Sequence, residues 1–340
     1  MTTKKSTIMG AVLAAAIGDA MGAPTETRPV KLVKEYFDGF VYDYKVPPED
    51  SLAKGLPRGF VTDDFSLSYV SAQHFVKAGG KVTRQAAVDA LLEWSEMEQW
   101  FIPYSGPTTK WKVLALKGGP RDTSRDYLLC ENSTGTNGGG MKAWVVGLFD
   151  AGNVDKAIDD AIVMCLPTHE NVVALSGACA VAAATAQAMV KGATVDQVIE
   201  AGCYGAREGL ARAYKVGRPA CGANIEKRIR LAVSIGLKYA HDFEQCIVEM
   251  TDIIGTGLQA VEAIPAAFGY LAACGGDVMK AIYLSVNSGN DSDTVAIMAA
   301  AMAGALYGAD GIPEDHLPFL EEVNDLQIAK LIDDIDAITD

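Results

Sequence analysis

The chain has 340 residues, 49% of them hydrophobic, with a net charge of −14 and a pI near 4.8. That length supports one large core, and the acidity sets the surface against nucleic-acid backbones, so neither DNA nor RNA is an expected partner. Seven scattered cysteines without a C-x-x-C pair fit a reducing, cytoplasmic setting and not a disulfide scaffold. No composition shift or linker divides the sequence, which predicts a single domain over 1–340 and is compatible with a monomer.

Helical periodicity runs through nearly the whole chain. Lys4 and Lys5 precede an apolar run over 8–17 that imitates a signal peptide. The preferred reading is a first core helix with Ser6 as its N-cap, because cleavage near Ala20 would part Asp19 from Glu26. Pro29 fits the first turn of a helix over 30–40, and residues 40–44 form the one tempting strand. Residues 44–59, with Pro47, Pro48, Gly55 and Pro57, read as a loop. Thr62 is placed to cap a helix to about Lys77. In 83–97, Ala86, Ala87, Leu91 and Trp94 keep a 3.6-residue rhythm. Residues 118–140 form a long loop rich in Gly, Ser, Thr and Asn, and loops of that length are often functional. Helices are expected over 154–165, 195–214, 225–240, 260–273 and 293–307. The nearly uncharged stretch 172–190 is rich in Ala, Gly, Ser and Thr, which favours a tightly packed interior helix over a membrane span. The fold class is therefore all-α.

Two short acidic clusters stand at the heads of helical stretches: Thr62-Asp63-Asp64 and Asp291-Ser292-Asp293-Thr294. Both make good N-caps favoured by the helix dipole. Both also supply hard oxygen donors, which suit Mg²⁺, Mn²⁺ or Ca²⁺ and not zinc. Adjacent carboxylates repel, and a divalent cation relieves that cost. Capping and ligation are compatible. A calcium-binding module is disfavoured, because no twelve-residue loop with a terminal bidentate Glu is present.

The wider context is more specific. Gly18-Asp19, Gly22 and Glu26 come early; Asn137-Gly138-Gly139-Gly140-Met141-Lys142 lies mid-chain; Thr168-His169 precedes the Ala-rich helix; Gly255-x-Gly257, Glu262 and Pro265 precede Asn287-Ser288-Gly289-Asn290-Asp291-Ser292-Asp293-Thr294. In this order the motifs resemble the ADP-ribosylglycohydrolase family, which includes dinitrogenase reductase activating glycohydrolase. The resemblance implies an all-α fold of the same type and a site for two Mg²⁺ or Mn²⁺ ions. It makes Thr62, Asp63, Asp64, Asp291, Asp293 and Thr294 the metal ligands and Glu26 the carboxylate near the scissile bond. Asn137, Gly138, Gly139, Gly140 and Met141 would hold the substrate; His169 is a candidate substrate contact, with a helix-start histidine satisfied by a backbone partner as the equal alternative. Asn290, Ser292, Phe65 and Lys142 depart from the usual residues, and Phe65 and Lys142 stand where pocket shape and phosphate contacts are expected to be set.

The implied reaction is hydrolysis of a ribosyl N- or O-glycosidic bond in ADP-ribosylated protein or an ADP-ribose conjugate. A smaller ribosyl compound such as a nucleoside is the alternative substrate, and a non-catalytic, crystallin-like structural role is the alternative of another class. Trp94, Trp100, Trp111 and Trp144 read first as packing residues, with a purine pocket lined by Trp100 and Phe101 as the alternative, and Arg58 and Lys142 are the cations nearest the motifs in sequence.

Overall fold

Alanine and glycine dictate where this fold is tightest. A computed structural model describes residues 3–124 and 126–339. Its first helix, α1 (Lys4–Gly22), is buried on almost every side. Thr3, not Ser6, is its N-cap: the Thr3 hydroxyl accepts the Ser6 N–H at 3.2 Å, so the helix starts upstream of the expected position. After α2 (Val30–Tyr36) come α3 (Asp63–Lys77), α4 (Arg84–Trp94), α5 (Glu98–Tyr104) and α6 (Pro107–Leu116). A 3₁₀ turn (Asn137–Gly139) leads directly into α7 (Gly140–Phe149), then α8 (Val154–Cys165), α9 (Val172–Ala188) and α10 (Val195–Ala213). The chain continues through α11 (Ile225–Lys238), α12 (Phe243–Ile253), α13 (Ala260–Ala273), α14 (Val278–Val286) and α15 (Ser292–Tyr307), and closes with α16 (His316–Asn324) and α17 (Ile328–Ile338). The protein is all-α: among the described residues no strand forms, only two isolated bridges.

Four expectations shift. Pro29 is the N-cap of α2 and not a first-turn residue. That helix stops at Tyr36, because Asp38 and Gly39 take positive φ. Residues 40–44 make no strand, since the Val41 N–H and carbonyl are bound by the Asn287 side chain at 2.7 and 2.8 Å. The long loop ends at Thr136, because Asn137 begins the 3₁₀ turn. Loop character over 44–59 holds.

Two centres organise the packing. Helix α9, apolar all round as a core helix should be, lies against α7, α8 and α10. Helix α1 lies along α15, with α14 beside it. No helix among the described residues is long and apolar enough to cross a membrane. The α1–α15 seam is a backbone contact. A Cβ on Gly304 would sit 2.1 Å from the Gly10 carbonyl oxygen, and one on Gly22 would sit 2.4 Å from the Asp293 Cα. Only hydrogen fits at either place.

Gly22→Ala therefore forces α1 away from the head of α15. Overpacking of this kind costs about 1–3 kcal/mol. The expected result is a lowered melting temperature together with weakened divalent-cation binding, read by thermal denaturation and calorimetry. A variant with unchanged melting and unchanged cation affinity would contradict this reading of the seam.

Candidate functional site

The helix heads of α3 and α15 meet at one cavity. Thr62 caps α3: its hydroxyl accepts the Asp64 N–H at 3.2 Å. Beneath it lies Asp19, fully buried in α1. Asp19 accepts the Thr62 N–H at 2.8 Å, the Thr62 hydroxyl at 2.6 Å and the Phe65 N–H at 3.2 Å. The Thr62 proton is thus committed to Asp19, and its oxygen keeps a lone pair for another partner. Asp19 was visible in the first motif, but nothing in the sequence gave it this role.

Residues 25–29 are stitched to 286–292. The Thr25 hydroxyl reaches the Val286 carbonyl at 2.6 Å and the Ser292 hydroxyl at 2.9 Å. The Thr27 N–H donates to the Asn290 carbonyl at 2.5 Å, and the Asn290 N–H donates to the Arg28 carbonyl at 2.8 Å. Asn290 has φ 59°, a left-handed conformation that Asn tolerates better than most residues, so it can stand in for glycine there. Gly289 has less latitude: a Cβ would meet the Arg28 carbonyl oxygen at 2.0 Å. Ser292 keeps the hydroxyl function at its position by donating to the Gly22 carbonyl at 3.1 Å. These ties set Glu26 beside Asp291 and Asp293. The three carboxylates offer oxygens within 4.8 Å of one another, a grouping that could hold a metal ion. Glu26 is therefore within ligating range as well as near the site.

Both acidic clusters line the same cavity, of about 270 Å³. Glu26, Asp63, Asp64, Asp291, Asp293 and Thr294 face it, together with Asn137, Gly138, Met141 and His169. Thr62, Gly139 and Gly140 lie behind this lining. Asn137 donates its amide to Asp291, and its own N–H is held by the Leu258 carbonyl at 3.0 Å. Gly139 packs against Ala178 and Cys165, and Gly140 against Ile264. The sequence reading missed Leu52, Tyr104, Gly106, Pro107, Thr108, Thr109, Thr136 and Leu258, which complete the wall. They come from a loop, from α5 and α6, and from turns, where no periodic signal marks a binding role.

Other expected site residues lie elsewhere. Phe65 is fully buried in the core beside Tyr69 and sets no pocket wall. Lys142 is buried and donates to the Thr168 hydroxyl at 3.0 Å. Burial lowers its pKa, while Cys165 and Asp63 act to raise it. It faces no cavity. Arg58 stacks over Phe319. Trp100 gives its indole N–H to the Val61 carbonyl at 3.1 Å, and Phe101 packs against Trp94, so neither forms a purine wall.

Charge dominates the cavity. Burial, followed by the charges of Asp291, Asp63 and Asp19, raises the Glu26 pKa well above the ordinary carboxylate range. Asp63 is pushed up to about 8 and Asp19 to about 7, in each case chiefly by burial. Asp64 and Asp293 are raised well above the usual range, and Asp291 is raised too, again mainly by burial. Glu26 Oε2 and Asp64 Oδ2 are buried with no hydrogen-bond partner among the described residues. Orphaned carboxylate oxygens among like charges are the donor set a divalent cation satisfies. His169 goes the other way: burial lowers its pKa to about 3, so it is neutral. Its Nδ1 pairs with the Thr168 hydroxyl at 2.8 Å, leaving Nε2 beside Gly138.

A larger depression, of about 630 Å³, lies at Asp155, Asp159, Arg212 and Lys215. Arg212 there is already paired with Asp155 and Asp159, and the depression holds none of the motif residues.

The chain is similar to known proteins in sequence and fold. The sequence fits the ADP-ribosylglycohydrolase family over residues 1–339. The chain belongs to that family, which supports a glycohydrolase activity. It is 28% identical to the uncharacterised protein YegU of Escherichia coli strain K12, over 95% of this chain and 94% of that one. It is 33% identical to human ADP-ribosylhydrolase ARH3 over 76 residues, 19% of this chain and 21% of ARH3. A solved structure described as an ADP-ribosylglycohydrolase-related protein complex superposes with a TM-score of 0.68 at 21% identity, covering 99% of each chain. The fold is thus that of an ADP-ribosylglycohydrolase.

Carboxylates with pKa values raised by folding hold more protons in the folded chain than in the unfolded one between about pH 4 and pH 8. Without a cation, this contribution to stability is present at low pH and is lost as pH rises through that window. A divalent cation replaces those protons, so its stabilisation should grow with pH. The melting-temperature gain on adding Mg²⁺ or Mn²⁺ is expected to be larger at about pH 8 than at about pH 5.5. An equal gain at both would contradict the cation reading.

Proposed function

We propose that the protein is a single-domain, metal-dependent hydrolase of a ribosyl N- or O-glycosidic bond, acting on ADP-ribosylated protein or an ADP-ribose conjugate. One observation carries this reading: two acidic clusters more than 200 residues apart line one cavity, in which Asp64 Oδ2 and Glu26 Oε2 have no hydrogen-bond partner among the described residues. The cavity volume lies just under the usual range for small-molecule sites, about 300–1,000 Å³, which suits a sugar with the rest of the substrate toward the mouth.

Thr62, Asp63, Asp64, Asp291, Asp293 and Thr294 are the proposed ligands for two Mg²⁺ or Mn²⁺ ions. Bound there, divalent ions supply Lewis acidity and a template for the vicinal hydroxyls of a ribose. Glu26 has a free Oε2 and a raised pKa, which suit it to take a proton from an attacking water or to pass one to the leaving group. Cleavage develops oxocarbenium character at the anomeric carbon, which the surrounding carboxylates favour electrostatically. Neutral His169 lines the substrate side without adding charge. The Asn137 N–H is taken by Leu258, but Gly138 lines the cavity and its N–H has no acceptor within the turn, so it suits a phosphate oxygen.

A second reading rests on its own observation. Among the described residues the cavity lining contains no Lys or Arg. A smaller, uncharged ribosyl substrate such as a nucleoside is therefore kept as the alternative. Side-by-side assays of ADP-ribose release from a modified protein and of base release from nucleosides decide between the two. The free state of the seven cysteines fits the proposed cytoplasmic setting.

Glu26→Gln is expected to lower kcat by about 10²–10⁴-fold while the variant still folds, the scale of a lost acid–base group. Asp293→Asn is expected to abolish both cation binding and turnover. Full turnover by Glu26→Gln would remove Glu26 from the chemistry. Full turnover with no divalent cation present would remove the metals.

A further inference from the structure

We propose that Tyr104 is a substrate-binding residue whose phenol donates a hydrogen bond to an oxygen of the bound sugar or of its leaving group. The inference rests on the ribosyl reading of the site above. Tyr104 is 8% exposed, and it lines the cavity together with Glu26, Asp63 and Asp293. Its hydroxyl is buried with no hydrogen-bond partner among the described residues. A buried phenol without a partner is costly unless something arriving later satisfies it.

The way the ring is held shows that this placement is built in. Trp100, one helical turn earlier on the same face of α5, is pinned by its indole to the Val61 carbonyl, next to Thr62. Helix α5 is therefore fastened to the cap of the first acidic cluster. Pro103 sits inside the last turn, and the Ser105 hydroxyl donates back to the Phe101 carbonyl. The ring itself packs on Ala23 and Ala53 in a small cluster apart from the main core. Ala23 begins the segment that carries Glu26. The phenol thus stands over the same space as the catalytic carboxylate, held from two sides.

The chemistry fits a donor. Every charged side chain lining this cavity is a carboxylate. Each is an acceptor only when ionised, and in that form cannot donate to a sugar hydroxyl or a carbonyl leaving group. A phenol kept protonated supplies a neutral donor that competes with no cation for its position. Burial and the charges of Asp19, Asp293, Glu26 and Asp63 hold it in the protonated form.

The test is Tyr104→Phe, which keeps the ring and removes only the hydroxyl. Binding of ADP-ribose and of adenosine is measured by calorimetry at saturating Mg²⁺, together with Mg²⁺ binding alone and the melting temperature of the ligand-free protein. The expected result is Mg²⁺ affinity unchanged, melting unchanged or slightly raised, and affinity for whichever probe the wild type binds lowered by about tenfold, the size of one hydrogen bond. Equal affinity in both proteins overturns the role of Tyr104 and leaves the ribosyl reading standing. Loss of Mg²⁺ affinity in the variant also overturns it, because the phenol would then serve the cation. If the wild type binds neither probe, the ribosyl reading fails and this inference falls with it.

Discussion

The constraint behind the site is the crowding of like charge. Glu26, Asp63, Asp64, Asp291 and Asp293 share one small cavity, and Asp19 lies buried just behind. Five ionised carboxylates cannot be held there without compensation. Among the described residues, Lys142 is the one buried cation acting on Asp63, and it is turned away toward Thr168. The compensation has to be protons, or cations entering from solvent. A fold that concentrates acid in this way, with oxygens left partnerless, is organised around something positive that binds.

Small residues make the crowding possible. The α1–α15 seam closes to backbone contact at Gly10, Gly22 and Gly304, which brings the head of α15 against the end of α1. From there the chain needs only a few residues to reach Glu26, and the hydrogen bonds between 25–28 and 286–292 fix them. Asp19, one turn before Gly22, holds the cap of α3 by three hydrogen bonds. One helix thus sets the spacing of both acidic clusters. The core stabilises the site and also determines its geometry.

Much of this was legible in the sequence. The helices over 154–165 and 260–273 have the bounds their periodicity suggested, and α3 begins right after its Thr62 cap. The all-α class followed from the scarcity of alternation, and the motif order indicated the family. Harder to read were features set by tertiary contact. Residues 40–44 look like a strand, but Asn287, far along the chain, takes their hydrogen bonds. Short helices such as α5 and α14 have too few turns to show a clear period. In the site, the acidic clusters announced themselves because adjacent carboxylates are costly and so informative. Phe65 and Lys142 misled, because each step along a helix turns the side chain by about 100°, enough to carry the neighbour of a motif residue away from the cavity. A lone tyrosine such as Tyr104 has no pattern, and Asp19, though part of the first motif, gave no sign that it would hold the α3 cap; only the structure shows what each faces.

The central claim is that distant oxygen donors converge on paired divalent cations. Anomalous diffraction from a crystal soaked in Mn²⁺ tests it most directly. The result in its favour is two strong peaks between the heads of α3 and α15, each within about 2.0–2.6 Å of oxygens from Asp63, Asp64, Asp291 or Asp293. A well-ordered crystal with those side chains in place and no peak between them would contradict it.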